Sequence, residues 1–303
     1  MRFGAHHEWG TLREVVIGIS PAEDFVVFHE ESARWLTPEV EAFARQHAGR
    51  RLVDLDPDWA RACERQVDAL ADRVAREGVV VHRPERLGGP ERTFLAPNGE
   101  GAQLFPRDPM IVVGEHLVEG SMRLVCRQRE RFGLRPLLRR MAEQRGARWS
   151  SVPPGSPNAV DGPYLEGGDT LLNGHEVYVG ISGCASDLAG ADWLQALIGP
   201  SYRVIPVAMK SNVLHLDCCL GLVRPGLLVY CPEKLIDGLP MSLRDWDKIP
   251  VSTEEATRLG WVLVFTTTFL RAEHNFIRGG EMSPARFEKP KPVVFDRTPK
   301  KGA

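Results

Sequence analysis

Thr170-Leu171-Leu172-Asn173-Gly174-His175-Glu176-Val177-Tyr178-Val179-Gly180-Ile181, continued by Trp193 to Ile198, Gly199 and Tyr202 to Val207, is the stretch whose reading decides the fold. Two runs rich in β-branched and aromatic residues flank an Asn-Gly pair, the dipeptide that most readily supplies the left-handed backbone of a tight hairpin turn. The next apolar run has helical spacing and stops at a glycine, after which a second β-rich run begins. The unit therefore reads as two paired strands, a crossover helix and a third strand.

The same cadence recurs along the chain. Pro109 to Glu119 turns at Gly114-Glu115-His116, and Leu137 to Arg145, Gly146 and Ala147 to Val152 follow it as helix, stop and strand. Leu220 to Tyr230 turns at Arg224-Pro225-Gly226. Upstream, Leu12 to Gly18 reads as a strand. Asp56 and Pro57 then open a helix whose Trp59, Cys63, Val67, Leu70 and Val74 share a face, Gly78 ends it, and Val79 to Val81 is expected as a buried strand. Ser252 with Glu255 three residues on is a capping-box pattern for another helix, ending at Gly260 before Trp261 to Phe265. A ββαβ unit of roughly 50 to 65 residues, repeated with mixed strand directions, predicts a ring of units rather than one doubly wound sheet.

Composition narrows the function classes. With 43% hydrophobic and 26% charged residues in 303, the chain can bury a large core. A formal net charge of −2 gives no basic field for nucleic acid or anionic lipid. The start, Met1 to His7, has no apolar signal core, and no apolar run nears the ~20 residues of a membrane span, so a cytoplasmic location is expected. No GxGxxG or GxxxxGK[ST] loop supports nucleotide chemistry. The six cysteines, at 63, 126, 184, 218, 219 and 231, lack CxxC spacing and are read as reduced thiols, and no metal or cofactor is expected. The arginine-rich stretch from Arg127 to Arg148 is read as the solvated face of a helix.

Two motifs carry chemistry. Tyr164-Leu165-Glu166-Gly167-Gly168-Asp169 sets two acids around a glycine pair that lets backbone and ligand approach closely. His215-Leu216-Asp217 supplies an imidazole with its own carboxylate. Either could be an ordinary polar turn, but together, each beside an apolar segment, they furnish an acid–base site.

On these residues the chain resembles the guanidino-group-modifying superfamily of amidinotransferases and arginine deiminases, whose fold is a five-bladed α/β-propeller (pentein). Glu8-Trp9-Gly10-Thr11-Leu12-Arg13-Glu14-Val15-Val16-Ile17-Gly18 looks most like the opening of glycine and inosamine-phosphate amidinotransferases. The resemblance covers about residues 7 to 275. It implies a propeller with its fifth, C-terminal repeat incomplete: one domain over residues 1–278, then a divergent Pro/Lys-rich tail over 279–303.

The resemblance also implies roles. Asp108, in Arg107-Asp108-Pro109-Met110, and Asp217 match carboxylates that clamp a guanidinium; His215 matches the general acid/base, Glu166 the acid that holds it, and Asp169 the second acid of that motif. Lys234 falls where some relatives carry an arginine for the substrate carboxylate. The implied activity is transfer of an amidino group from arginine or a related guanidino compound to an amine acceptor, through a cysteine not recognisable here, since no cysteine follows Cys231. Cys219, expected on the same strand face as His215 and Asp217, and Ser283, in a glycine-rich segment, are the substitute nucleophiles. Deiminase or hydrolase activity, or a silent or truncated family member, is the alternative. With the last repeat curtailed, the flanks at Val15 to Ile17 and Leu227 to Val229 are expected to lose cover, favouring self-association or a completing partner chain.

Overall fold

Each described strand finds a neighbour, and together the described strands gather into four separate three-stranded sheets. The computed structural model describes residues 3–26, 28–34, 36–87, 103–155, 162–259 and 267–273. β1 (Thr11–Ile17) is followed by helices α1 (Pro38–His47), α2 (Leu52–Leu55) and α3 (Pro57–Arg76), after which β2 (Val80–His82) returns parallel to β1. The helix α3 starts where the sequence predicts, because the Asp56 carboxylate accepts the free amides of Asp58 and Trp59 at 3.1 and 2.9 Å.

The next two sheets repeat one plan. β3 (Met110–Val113) and β4 (His116–Glu119) form a hairpin, α4 (Arg135–Arg145) crosses over, and β5 (Arg148–Ser151) lies parallel to β4. β6 (Thr170–Asn173) and β7 (Glu176–Ile181) pair antiparallel around Gly174 at φ +65°, α5 (Leu188–Ile198) follows, and β8 (Arg203–Ala208) lies parallel to β7. Leu137, Leu138, Leu194 and Ile198 carry α4 and α5 into one core with Met110, Val118, Leu165 and Val179. Burying each such side chain contributes about 1.5–3 kcal/mol.

The fourth sheet departs from the predicted unit. β9 (Leu220–Arg224), β10 (Leu227–Tyr230) and β11 (Asp247–Pro250) keep the strand order, but the crossover holds only the 3-10 turns Pro232–Lys234 and Met241–Leu243. Pro232 and Pro240 limit regular helix there. α6 (Thr253–Leu259) forms at the predicted capping box, where the Ser252 hydroxyl accepts from Glu255 N at 3.0 Å. β12 (Thr267–Glu273) then pairs antiparallel with β1 and completes the first sheet.

Among the described residues no fifth sheet forms, and β12 lies along the edge of β1. Val15, Val16 and Ile17 are buried, so the expected loss of cover is not found at that flank; at the other, Leu228 is buried while Leu227 and Val229 are half-buried. Val80 is about half exposed, against the buried strand predicted, because β2 is an edge strand. Trp261 to Phe265, Ser283 and the 279–303 tail lie outside the described residues. Among those described, no helix is long and apolar enough to cross a membrane.

Candidate active site

The site grows from one position repeated in three sheets: the turn that enters the first strand of a hairpin. Asp108 precedes β3, Glu166 and the 3-10 turn Gly167–Asp169 precede β6, and His215 with the 3-10 turn Leu216–Cys218 precedes β9. All four site acids and His215 are buried, at 1–7% exposure. A bridge between Ser121 and Leu165 and the Gly167 N to Asp108 O hydrogen bond of 2.8 Å lock the first two entrances together.

His215 Nε2 lies 2.8 Å from Glu166 Oε2, and its Nδ1 lies 3.8 Å from Asp108 Oδ1. The other oxygen of Glu166 accepts from Arg123 N at 2.9 Å, and Asp108 Oδ1 accepts from Gly168 N at 3.1 Å. Gly168 is required by this closeness: a Cβ there would stand 2.7 Å from Asp108 Oδ1 and from the His215 ring. Asp169 braces the third entrance, because its carboxylate accepts from Ser186 N at 2.9 Å and from Leu216 N at 3.0 Å. It thereby fixes the turn that carries His215.

The charges are those of a dry, crowded cluster. Burial alone would depress His215, but the Asp108 carboxylate, the Glu166 hydrogen bond and Asp169 raise it to about 10, so the ring is an imidazolium at neutral pH. Asp108 is held low against its burial by His215 and Arg127. Burial pushes Asp169 and Asp217 up to about 7.

Two arginines serve these carboxylates. Arg127 Nη2 lies 2.8 Å from Asp108 Oδ2, its Nε and Nη2 each reach Glu130 at 2.8 Å, and its Nη1 is 3.7 Å from Glu166 Oε2. One guanidinium cannot neutralise three carboxylates, and burial leaves Glu130 raised to about 7. Arg107 Nε approaches Asp217 Oδ2 at 3.4 Å, while its Nη2 donates to Thr170 O at 3.0 Å and to Glu8 Oε2 at 3.4 Å. Glu8 also accepts from Leu172 N at 2.9 Å, which ties the N-terminal segment to β6.

Arg127 thus contradicts the reading of its stretch as a solvated face. Arg131 and Arg135 likewise turn inward, to the buried Glu119 at 3.5 and 2.9 Å. Sequence reasoning also missed Glu8, Glu130 and Ser186; the spacing of Arg127 and Glu130, one helical turn apart, was the available signal.

The remaining sequence-predicted residues separate. The turn at 216–218 is 3-10, not extended, so strand alternation fails: Cys218 shares the site with His215 and Asp217, its Sγ 3.7 Å from Asp217 Oδ1. Cys219 points into the apolar core against Met209, and burial pushes its thiol up to about 12. Burial and the Asp217 charge raise the Cys218 thiol still further, so neither is a thiolate near neutral pH. Lys234 closes a 3-10 turn, and among the described residues it bonds through its backbone to Lys210 and Cys231 rather than joining the cluster.

The described cysteines are free. Ligand atoms of His215, Asp217 and Cys218 lie within 4.8 Å of one another, near enough for one metal ion. A cation there would have to displace Arg107 from Asp217 and the proton from His215.

No family model matches the chain. It is 29% identical over 269 residues to the putative inosamine-phosphate amidinotransferase 2 of Streptomyces griseus, spanning 81% of this chain and 74% of that protein. Against the mitochondrial glycine amidinotransferase of Xenopus tropicalis it is 22% identical over 263 residues, 76% of this chain and 60% of the relative. Among solved structures, an amidinotransferase from Microseira wollei in the saxitoxin biosynthetic pathway superposes with a TM-score of 0.68 at 22% identity, covering 82% of this chain and 75% of that one. The resemblance read from the sequence is borne out: the chain is homologous to the inosamine-phosphate and glycine amidinotransferases, and it has their α/β fold.

Proposed function

We propose that this chain moves an amidino group from a guanidino donor of the arginine class to an amine acceptor, on the cluster of His215, Glu166, Asp108 and Asp217. The observation that carries the reading is the juxtaposition of one imidazolium with three buried carboxylates drawn from three hairpin entrances. A planar cation is recognised by carboxylates at fixed positions, and Asp108 and Asp217 each give one oxygen to an internal arginine while the other faces the cluster. The homology to amidinotransferases supports amidino transfer over other uses of a guanidinium.

In this reading the bond between the guanidino carbon and the departing nitrogen breaks, and His215 gives its proton to that nitrogen. A new carbon–nitrogen bond forms to the acceptor, whose surplus proton returns to His215. Ornithine and an amidino acceptor result, and the proton count is unchanged. Glu166 keeps the ring oriented and favours its charged form. The attacking group is not supplied by the thiols of Cys218 or Cys219 in the states described.

That last observation favours a second reading, in which the site binds a guanidino ligand without turning it over. Incubation with guanidino-13C arginine and a mixture of small amines, followed by mass spectrometry, separates the readings. Ornithine with a labelled acceptor supports transfer, and labelled citrulline supports hydrolysis. Arginine binding without product supports the silent reading, and absence of both binding and product overturns all of them.

A further inference from the structure

The opening motif Glu8-Trp9-Gly10 has a place in the fold that the reaction above does not use. The segment before it lies across two hairpin tips: Ala5 and Gly114 exchange backbone hydrogen bonds of 3.2 and 2.6 Å, His7 bridges Asn173, and Gly174 N donates to His6 O at 2.8 Å. Beyond Glu8, Trp9 stacks on His7 at 5.0 Å and meets Trp246 edge-on at 5.7 Å. Between these anchors the Glu8 side chain is only 13% exposed. Its Oε1 accepts from Leu172 N at 2.9 Å, and its Oε2 lies 3.4 Å from Arg107 Nη2.

Asp108 and Asp217 each have an internal arginine beside them, and the two arginines are held differently. Arg127 closes on Asp108 at 2.8 Å, the length of a charge-assisted hydrogen bond, whereas Arg107 Nε stands off Asp217 Oδ2 at 3.4 Å. The Nη2 of Arg107 is drawn elsewhere, to Thr170 O at 3.0 Å and to Glu8. A guanidinium set between two carboxylates divides its contact between them, and loss of one charge leaves the other to attract it alone. Once closed on Asp217, the internal guanidinium would present there the same fork of donors as a guanidino ligand.

We propose that Glu8 is a positioning residue of the guanidino site: it draws Arg107 back, so that Asp217 stays open to the ligand's guanidinium instead of closing on the protein's own. This rests on the guanidino reading above and adds to it a residue that acts through Arg107 without touching the ligand. The two hairpin tips and the Trp9 contacts fix the backbone on either side of Glu8, which lets one carboxylate hold a buried arginine at a set distance.

The test titrates L-arginine and L-citrulline calorimetrically into the intact chain and into Glu8→Gln, which keeps the shape of the side chain and removes its charge. The expected result is a preference for arginine that falls about fivefold or more in Glu8→Gln, with citrulline affinity unchanged. The effect of Glu8→Gln should vanish when Arg107→Gln is already present, because Glu8 acts through that arginine. An unchanged preference in the folded single variant, equal weakening of both ligands, or the same fall in both backgrounds would overturn the proposal. Crystal structures of wild type and Glu8→Gln read the contact itself: closure of Arg107 onto Asp217 to about 2.9 Å in the variant supports the restraint, and an unshortened contact overturns it. If wild type shows no preference for arginine, the guanidino reading fails separately. In that case, or if Arg107→Gln alone erases the preference, these distances decide the role of Glu8.

Discussion

Glu166 Oε2 and His215 Nε2 stand 2.8 Å apart, one at the entrance to β6 and the other at the entrance to β9, both almost wholly removed from water. Because the contact favours the imidazolium, it makes two properties of the site measurable: the pH at which His215 loses its proton, and the barrier to proton delivery.

Glu166→Gln keeps the shape of the partner and removes its charge. The His215 titration, followed by the ring 13C and 1H shifts, is expected to fall from about 10 towards the ordinary histidine range, with turnover reduced roughly 10²- to 10⁴-fold. The sign of the linkage is fixed: a raised histidine pKa stabilises the fold fully below about 6.5, and that stabilisation disappears as pH rises through about 10. An unshifted titration in the variant would show that Glu166 does not set the charge of the ring.

Among the described ion pairs, Arg127 is the only arginine or lysine that reaches Asp108, Glu130 and Glu166; it shares Asp108 and Glu166 with His215. Arg127→Ala is expected to lower stability by about 3–5 kcal/mol in urea unfolding, because it strands buried carboxylates. Arg127→Lys keeps the charge but loses the two-pronged contact with Glu130, and should fall between. Equal stability of wild type and Arg127→Ala would mean that the carboxylates are already protonated.

Asp169 and Asp217 act in the same sense as His215, over a lower pH window. Asp169 and Asp217 are raised to about 7, so each favours folding below its ordinary value near 3.8 and opposes it increasingly as pH rises towards 7. Asp169→Asn should therefore flatten the decline in stability between about pH 4 and 7 in thermal unfolding. A steeper decline in the variant would contradict the direction.

Gly168→Ala places a methyl 2.7 Å from both Asp108 Oδ1 and the His215 ring. The strain is expected to cost about 1–3 kcal/mol and to pull the ring out of line. Arginine binding should weaken more than global stability does, as read by calorimetry beside thermal unfolding.

The repeat plan was legible because hairpin turns, helix stops and caps are local: Asn173-Gly174, Asp56 with Pro57, and Ser252 each mark an element that forms. Glu166, Asp169, His215 and Asp217 stood out because the two motifs occur together, each beside an apolar segment. The charges that neutralise them did not. Arg127 and Glu8 reach the cluster across distant segments, and an arginine turned inward has the same spelling as one in water. The pairing of β12 with β1 was equally hidden, since it joins opposite ends of the described chain. Alternation misplaced Cys219 because a 3-10 turn replaces the extended backbone it assumes.

Cys219 and Cys218 give a chemical check on that turn. Cys219 is fully buried with a thiol raised to about 12, whereas Cys218 is partly accessible. Under brief iodoacetamide treatment at pH 8 of the folded protein, Cys219 should remain unlabelled, and Cys219→Ser should leave turnover unchanged. Protection lost at Cys219, or turnover abolished by that substitution, would return it to the site.

The central claim is that Asp108 and Asp217 form a seat for a guanidinium beside His215, and the direct measurement is calorimetric titration with L-arginine and with its neutral ureido counterpart, L-citrulline. The account predicts that wild type prefers arginine by about tenfold or more, the worth of one charge-assisted hydrogen bond, and that Asp108→Asn loses this preference while staying folded. Equal affinity for the two ligands in wild type, or a preference that survives Asp108→Asn, would contradict it.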